Sequence, residues 1–534
     1  MLTRKKRTAK TPGAKQLQQA YQVSIDATSK NTKDALAVAE EKTENLSRRK
    51  FVGNLSKAAA VIGFSGLYQA CNPASKKTQP TIAIVGAGIA GLHAAFILKQ
   101  AGYTAQVYEA SGRAGGRIFT TNELLGKGLW TEMGGEFIDT DHKDMFALAK
   151  HFNLPLLDRG SASEVGLKEF CYHFNGKKYE LKDVLEQIKP IAAQINADKD
   201  LLTDDLSYNK HTADEERLDK ISTLEYIEKL GVNGWFKNFI DASYTAEYGM
   251  NISEQSCISF LSLFDPGNDK EYKLLGESDE RYSIIGGGQK LCDALAAELK
   301  EQLKKDYLLT AIAQNSDKKY VLSFKVSNAK TEDITADIVL LTLPFSTLRD
   351  VDIKVALPDW KTNTIKNLGY GTNSKFFVGV KDRIWRKQGY QGYAFSDNGM
   401  MNGYDNTQLQ NNNEGIGGYT VFLGGKVGLD VCTQDLRVNQ QKYLAALNEI
   451  FPGMNDAFND KFYSWFWPTY PYSKCSYVSY KVGQYITMSG AQFEPIDNLF
   501  FAGEHCSYEF QGFMNGGAET GRMAAENIIA KLKA

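Results

Sequence analysis

The chain has 534 residues, with 62 Lys and Arg against 63 Asp and Glu, for a formal net charge of −1. That balance excludes a general nucleic-acid binder, which needs a basic surplus to meet phosphate, while 43% hydrophobic residues suits a chain with a large core. Six histidines and seven cysteines are scattered without zinc-type spacing, so no metal centre is expected.

Residues 1–46 are polar and open with the basic cluster Arg4, Lys5, Lys6 and Arg7. Ser47-Arg48-Arg49-Lys50-Phe51-Val52 follows, then an apolar stretch over 58–67 that is too short to span a bilayer. The arrangement resembles a twin-arginine export signal. Cys71, after Leu67-Tyr68-Gln69-Ala70 and before a polar linker, resembles a lipoprotein cleavage site. The other reading of Cys71 is a cysteine that merely lies near a signal-peptidase cut. The resemblance implies a leader and linker over 1–80, a periplasmic location and, on the first reading of Cys71, a lipid anchor. The six remaining cysteines show no paired spacing, and a domain of this size does not require disulfides after export.

The apolar run 82–85 predicts a buried parallel strand. Gly86, Gly88 and Gly91 then fit G-x-G-x-x-G: a tight turn, close backbone approach to a pyrophosphate, and close helix–strand packing. A helix over 92–101 would turn its positive N-terminal end toward phosphate. A second strand, 105–108, ends in Glu109, at the distance that ribose hydroxyl recognition requires. An acid there favours an unphosphorylated adenosine ribose.

The run Glu109-Ala-Ser-Gly-Arg113-Ala-Gly-Gly116-Arg117 resembles the E-A-x-x-R-x-G-G-R signature of FAD-dependent amine oxidases. That family includes monoamine, polyamine and L-amino-acid oxidases. The resemblance implies FAD, with Arg113 and Arg117 toward its pyrophosphate, where an arginine fork suits phosphate. It also implies an α/β (α+β) two-lobed amine oxidase fold, in which a Rossmann-like FAD-binding lobe is interleaved with a substrate lobe of mixed sheet and helices. On this reading the FAD lobe takes 81–140, 281–345 and 486–534. The substrate lobe takes a helical part, 141–280, and a sheet, 346–485.

Further along, 129–139 is strand-like and carries Gly134 and Gly135, a pair that in the family lies close to the flavin. Helical patterns are predicted over 143–152, 181–189 and 223–230, and another over 290–304, with strands at 319–326 and 336–342. The Asn-rich segment 406–413 reads as a surface loop.

Lys375 starts an apolar strand, and composition alone reads it as a snorkelling side chain. In the family, a lysine at this place holds a water against flavin N5. Desolvation by Phe376 and Phe377 would lower its pKa. Trp467-Pro-Thr-Tyr-Pro-Tyr-Ser-Lys-Cys475-Ser476-Tyr477 resembles the family's W-x-x-x-P-Y-S-x-G-x-Y stretch, which puts Tyr477 in one wall of an aromatic cage. Gly512-Phe513-Met-Asn-Gly516-Gly517-Ala518-Glu resembles G-Y-M-x-G-A-x-E, which puts Phe513 in the other wall, without the usual hydroxyl. The resemblance adds Gly503, Glu504, Gly516, Gly517 and Ala518 to the cofactor site. Ser476 stands where some members carry a flavin-bonded cysteine, and Cys475 would point the opposite way in a strand, so the FAD is expected to be non-covalent.

The reaction implied is oxidation of a small-molecule amine to an imine, with O2 reduced to hydrogen peroxide. L-amino-acid oxidases of the family place an arginine soon after the Gly-Gly pair; here 133–149 contains none, but carries Glu136, Asp139, Asp141 and Asp144. Those carboxylates either belong to a solvated loop or, facing the site, favour an ammonium group over a carboxylate. Two alternatives stay open: an L-amino-acid oxidase or tryptophan 2-monooxygenase-like enzyme using Arg281 or Arg383, and a non-catalytic flavin-binding surface protein.

Overall fold

The computed structural model describes residues 79–268, 270–326 and 330–533. The export motif and Cys71 lie outside the described residues. A five-stranded parallel sheet orders Leu499–Phe501, Ile338–Leu341, Ile82–Val85, Ala105–Tyr108 and Leu303–Lys304 side by side. Ile82–Val85 and Ile338–Leu341 are buried at every position, which is why they read as unbroken apolar runs. The sheet thus gathers strands from segments far apart in the chain, and helix Ile89–Gln100 packs against it together with the closing helix Met514–Lys533.

A seven-stranded sheet is ordered Phe458–Phe466, Ser374–Val380, Gly417–Leu423, Met401–Asp405, Tyr390–Ser396, Lys168–Phe174 and Lys177–Tyr179. The last two lie within the segment expected to be helical. Lys168–Phe174 pairs in parallel with Tyr390–Ser396, a partner more than two hundred residues away that local periodicity does not announce. The helices of that segment start where local chemistry demands. Thr212 and Glu215 form one capping box, and Ser222 and Glu225 another, each satisfying backbone N–H groups that a helix start leaves open.

Three further expectations change. The helix predicted over 290–304 ends at Glu298, and Leu303–Lys304 instead joins the parallel sheet beside Tyr108. Of 129–139, only Trp130–Glu132 is a strand, paired with Thr120–Asn122; the Gly-Gly pair beyond it is irregular. The Asn-rich segment is a surface loop only in part, since Asn406, Thr407, Gln408 and Gln410 are buried. Arg383, 1% exposed, donates to the carbonyls of Thr407, Gln410 and Glu414 and folds the loop inward around itself.

Candidate active site

Both glycine segments open into one cavity of about 580 Å³. Gly86 has φ +106°, and a Cβ there would lie 2.5 Å from Thr342 Oγ1. Gly91 takes the helix against the strand so closely that a Cβ would meet the Gly86 carbonyl oxygen at 2.0 Å. Gly88 is different: nothing lies within 4 Å of its added Cβ, because that side faces the cavity. Helix Ile89–Gln100 has no side-chain cap at Gly88, which leaves its first-turn N–H groups for a phosphate. Glu109 lines the same wall, its carboxylate accepting from the N–H groups of Ala87 and Ser111 and from the Ser111 hydroxyl.

The two arginines of the signature take different places. Arg117 lines the cavity, pairs with Glu504 at 2.8 Å and donates to the Ser476 carbonyl. Arg113 is absent from the cavity wall; its guanidinium donates to the carbonyls of Ala114, Gly116 and Ile118 and to Gln289, and stacks on Phe119. Those carbonyls crowd where the chain turns back through Gly115 and Gly116, both at positive φ, and the arginine satisfies them. Arg113 therefore shapes the Gly116 loop from behind.

Gly134, Gly135, Gly503, Glu504 and Gly517 also line the cavity. A Cβ on Gly134 would sit 1.8 Å from the Arg117 carbonyl oxygen. Glu504 ties three segments together: besides Arg117, it accepts from the backbone N–H of Val478 and of Gly512. Gly516 and Ala518 stand behind the wall. Gly516 packs under the Phe510 carbonyl, and the Ala518 carbonyl oxygen lies 2.8 Å from His93 Nδ1, so both fix the closing helix rather than face the cavity. Unfilled Cβ space, uncapped N–H groups and a ribose-type carboxylate along one wall fit a dinucleotide flavin.

Lys375 occupies the next stretch of wall. It lies in strand Ser374–Val380, opposite Phe422 and Trp465 of the flanking strands, and is 5% exposed. Its Nζ donates to the carbonyls of Glu132 (3.2 Å) and Gly134 (3.1 Å) and stands 3.6 Å from Glu136 Oε2. Burial lowers its pKa, against the opposing pull of Glu136 and Glu132. Phe376 does not contribute as expected: strand alternation turns it to the opposite face, against Tyr443 and Phe462.

Tyr477 and Phe513 both line the cavity. The Tyr477 hydroxyl donates to the Glu247 carbonyl at 2.5 Å, and His142 meets the Phe513 ring edge-on at 5.1 Å. The Ser476 hydroxyl, which also lies on the wall, donates to Asn373 Oδ1. Cys475 is in an irregular turn rather than a strand, buried off the cavity with its thiol 3.2 Å from the Ser346 hydroxyl.

The acidic group differs from expectation. Glu136 lines the cavity and accepts from the Tyr404 hydroxyl at 2.9 Å. Asp139 does not; it accepts from Ser278 and from the N–H of Glu280, and contacts His142. Asp144 is paired with Arg522, and Asp141 is exposed off the cavity. In their place stand Glu247 and Glu280, with the stacked rings of Tyr393 and Tyr404. Glu280 is pushed up to about 8 by burial; Arg159 lowers it, while Glu247, Asp139 and Glu136 add repulsion. Glu136, Glu247 and Glu280 thus line one space. Periodicity offers no signal for Glu247, at the end of helix Gly234–Tyr248, or for Glu280, in an irregular turn at φ 41°. The two arginines considered for a carboxylate are committed elsewhere: Arg281 forks Asp158, and Arg383 serves its loop.

Residues 89–529 match the family described as flavin containing amine oxidoreductase, and the chain belongs to that family. It is similar to an L-amino-acid oxidase of Crotalus adamanteus (24% identical, covering 88% of this chain and 89% of that one). It is equally similar to a nicotine dehydrogenase of Pseudomonas putida (24%, covering 91% and 97%). Its fold resembles that of cyclohexylamine oxidase from Brevibacterium oxydans, with TM-score 0.73 at 18% identity, covering 85% of this chain and all of the other. The protein is accordingly a flavin-dependent oxidoreductase with the α/β amine oxidase fold.

Proposed function

We propose that the protein is an FAD-dependent amine oxidase that takes a primary or secondary amine, as its cation, to an imine. The carrying observation is the charge around the substrate space. Glu136, Glu247 and Glu280 line it, and Arg117, already paired with Glu504, is the only arginine on the cavity wall among the described residues. An ammonium group is attracted there, whereas an amino acid would bring its carboxylate among like charges. Tyr477, Phe513, Tyr393 and Tyr404 add ring faces that favour a cation and exclude water. The flavin, when bound, supplies the acceptor for two electrons and passes them to O2, giving hydrogen peroxide. The imine hydrolyses to an aldehyde and ammonia or an amine. Lys375, hydrogen-bonded to two carbonyls, is fixed in the wall and can hold a water at its Nζ. A serine rather than a cysteine at 476 supports non-covalent FAD.

Peroxide release by the flavin-loaded protein, measured across a panel of amines and a panel of amino acids, tests this. Activity with amines supports the reading, peroxide with amino acids alone overturns it, and no reduction by any substrate favours a non-catalytic flavoprotein. We also propose export by the twin-arginine route, supported by Arg48 and Arg49 ahead of the apolar stretch. Arg48→Lys with Arg49→Lys should retain the protein in the cytoplasm, and unchanged fractionation would remove that proposal.

A further inference from the structure

We propose that Glu136 accepts the proton of the incoming ammonium group, so that the amine loses its charge inside the cavity. This rests on the reading above that the substrate is a cationic amine. A carbon–hydrogen bond beside nitrogen gives up hydride readily only when the nitrogen has a free lone pair, and an ammonium has none. The site must therefore remove one proton before the redox step.

Glu136 is placed for that task. It follows Gly134 and Gly135 directly, its side chain is 8% exposed, and it lines the cavity beside Lys375. The groups facing it come from several elements. Tyr404 donates to it from strand Met401–Asp405, and Lys375 approaches from strand Ser374–Val380. Glu132 on its own segment, and Glu280 and Arg159 from the adjoining loops, complete its electrostatic surroundings. The other candidates are less suited. Lys375, although burial lowers its pKa, is turned to the carbonyls of Glu132 and Gly134, and the neighbouring carboxylates oppose the loss of its proton. Arg159 is 3.9 Å from the Glu280 carboxylate and donates to that residue's carbonyl. Tyr477 already donates its hydroxyl proton to a carbonyl.

In the transfer, one N–H bond of the ammonium breaks and one O–H bond forms on Glu136; no electrons change hands. The carboxylate becomes a neutral acid and the ammonium a neutral amine, so two opposite charges vanish together. In water that exchange is strongly uphill. In a dry cavity, burial penalises both charges and narrows the gap. Burial raises the Glu136 pKa in this direction, while Lys375, Tyr404 and Arg159 hold it from rising further. A base tuned toward the working pH is what proton abstraction requires.

The test is anaerobic flavin reduction in rapid mixing, followed against pH with a primary amine that reduces the wild type. The wild-type rate constant should be flat well below the amine's own pKa. Glu136→Gln should fall about tenfold per pH unit below that pKa, because only free amine then reacts, and recover at alkaline pH. Glu136→Asp keeps an acid and should keep the flat profile at a lower rate. A readout without turnover uses tert-butylamine, which has no α-hydrogen, in calorimetry across buffers of different ionisation enthalpy. Binding to the wild type should leave the buffer's protons unchanged, and binding to Glu136→Gln should release about one per amine. A loss in Glu136→Gln that is equal at every pH, with no proton released, would overturn the proposal and leave Glu136 only a role in positioning Lys375. Failure of every amine to reduce the wild-type flavin would instead overturn the proposed function, and this inference with it.

Discussion

The two ends of the cavity are built from opposite materials. The cofactor end is made of missing atoms: glycines that leave Cβ space, and backbone N–H groups left uncapped. The substrate end is made of charged and aromatic side chains from strands and loops far apart in the chain. Shape at the first end is set at Gly91 and Gly134 by backbone contacts closer than any Cβ would allow, so those positions tolerate almost no substitution. Charge at the second end is set by several groups acting together, so single changes there should grade the response.

The sharpest way to break this contrast is Gly134→Ala, whose Cβ would fall 1.8 Å from a backbone oxygen. Loss of flavin from the purified protein is expected, read from the absorbance ratio of flavin to protein; a full complement would show that the wall is softer than its contacts imply. Next in size, Lys375→Met should slow flavin reduction or reoxidation by roughly 10²-fold, the scale of a positioned proton-handling group. Unchanged transient kinetics would remove Lys375 from the chemistry. Smaller again, above about pH 8, where Glu280 carries its charge, Glu280→Gln should raise KM for a cationic amine roughly tenfold with kcat little altered, as for loss of a charged binding partner, and the KM effect should shrink as pH falls through that value. A kcat effect without a KM effect would contradict its place in attraction.

The smallest effect concerns a lysine behind the cofactor end. Lys361 is fully buried, its Nζ donating to the carbonyls of Ala491 and Gln492 and lying 4.0 Å over the Phe501 ring. Burial pushes it down to about 7. Between that value and about 10, the unfolded chain holds the proton and the folded one does not, so its contribution to stability rises with pH across that window. The Tm of the wild type minus that of Lys361→Met should therefore climb from neutral to alkaline pH, and a difference independent of pH would contradict the shift.

The same contrast explains what could be read in advance. A dinucleotide turn needs glycine at fixed spacing within one stretch, and Gly86, Gly88 and Gly91 lie within six consecutive residues. Glu109 was legible for the same reason. Arg113 was not, because a signature gives the residue but not which way its guanidinium turns, and here crowded carbonyls claim it. At the substrate end, Glu136 was visible beside its glycines, whereas Glu247 and Glu280 meet it only through tertiary packing. Asp139, assigned to the acidic wall, instead fixes the turn that presents Glu280. Strand Lys168–Phe174 was lost to the same cause, since its partner lies in a distant segment.

The packing of helix Met514–Lys533 on helix Ile89–Gln100 carries one more consequence. Gly521 lies so close to the Ala90 carbonyl that a Cβ would approach it to 2.2 Å, and the His93 to Ala518 contact spans 425 residues of chain. A ribosome makes one half of this clasp long before the other. A nascent chain holding only the first half has the phosphate turn without the glycines of the closing helix against it, so a wall built from both glycine segments waits until residues 514–533 have been made. A chain cut short before Met514 thereby loses the clasp together with the closing helix.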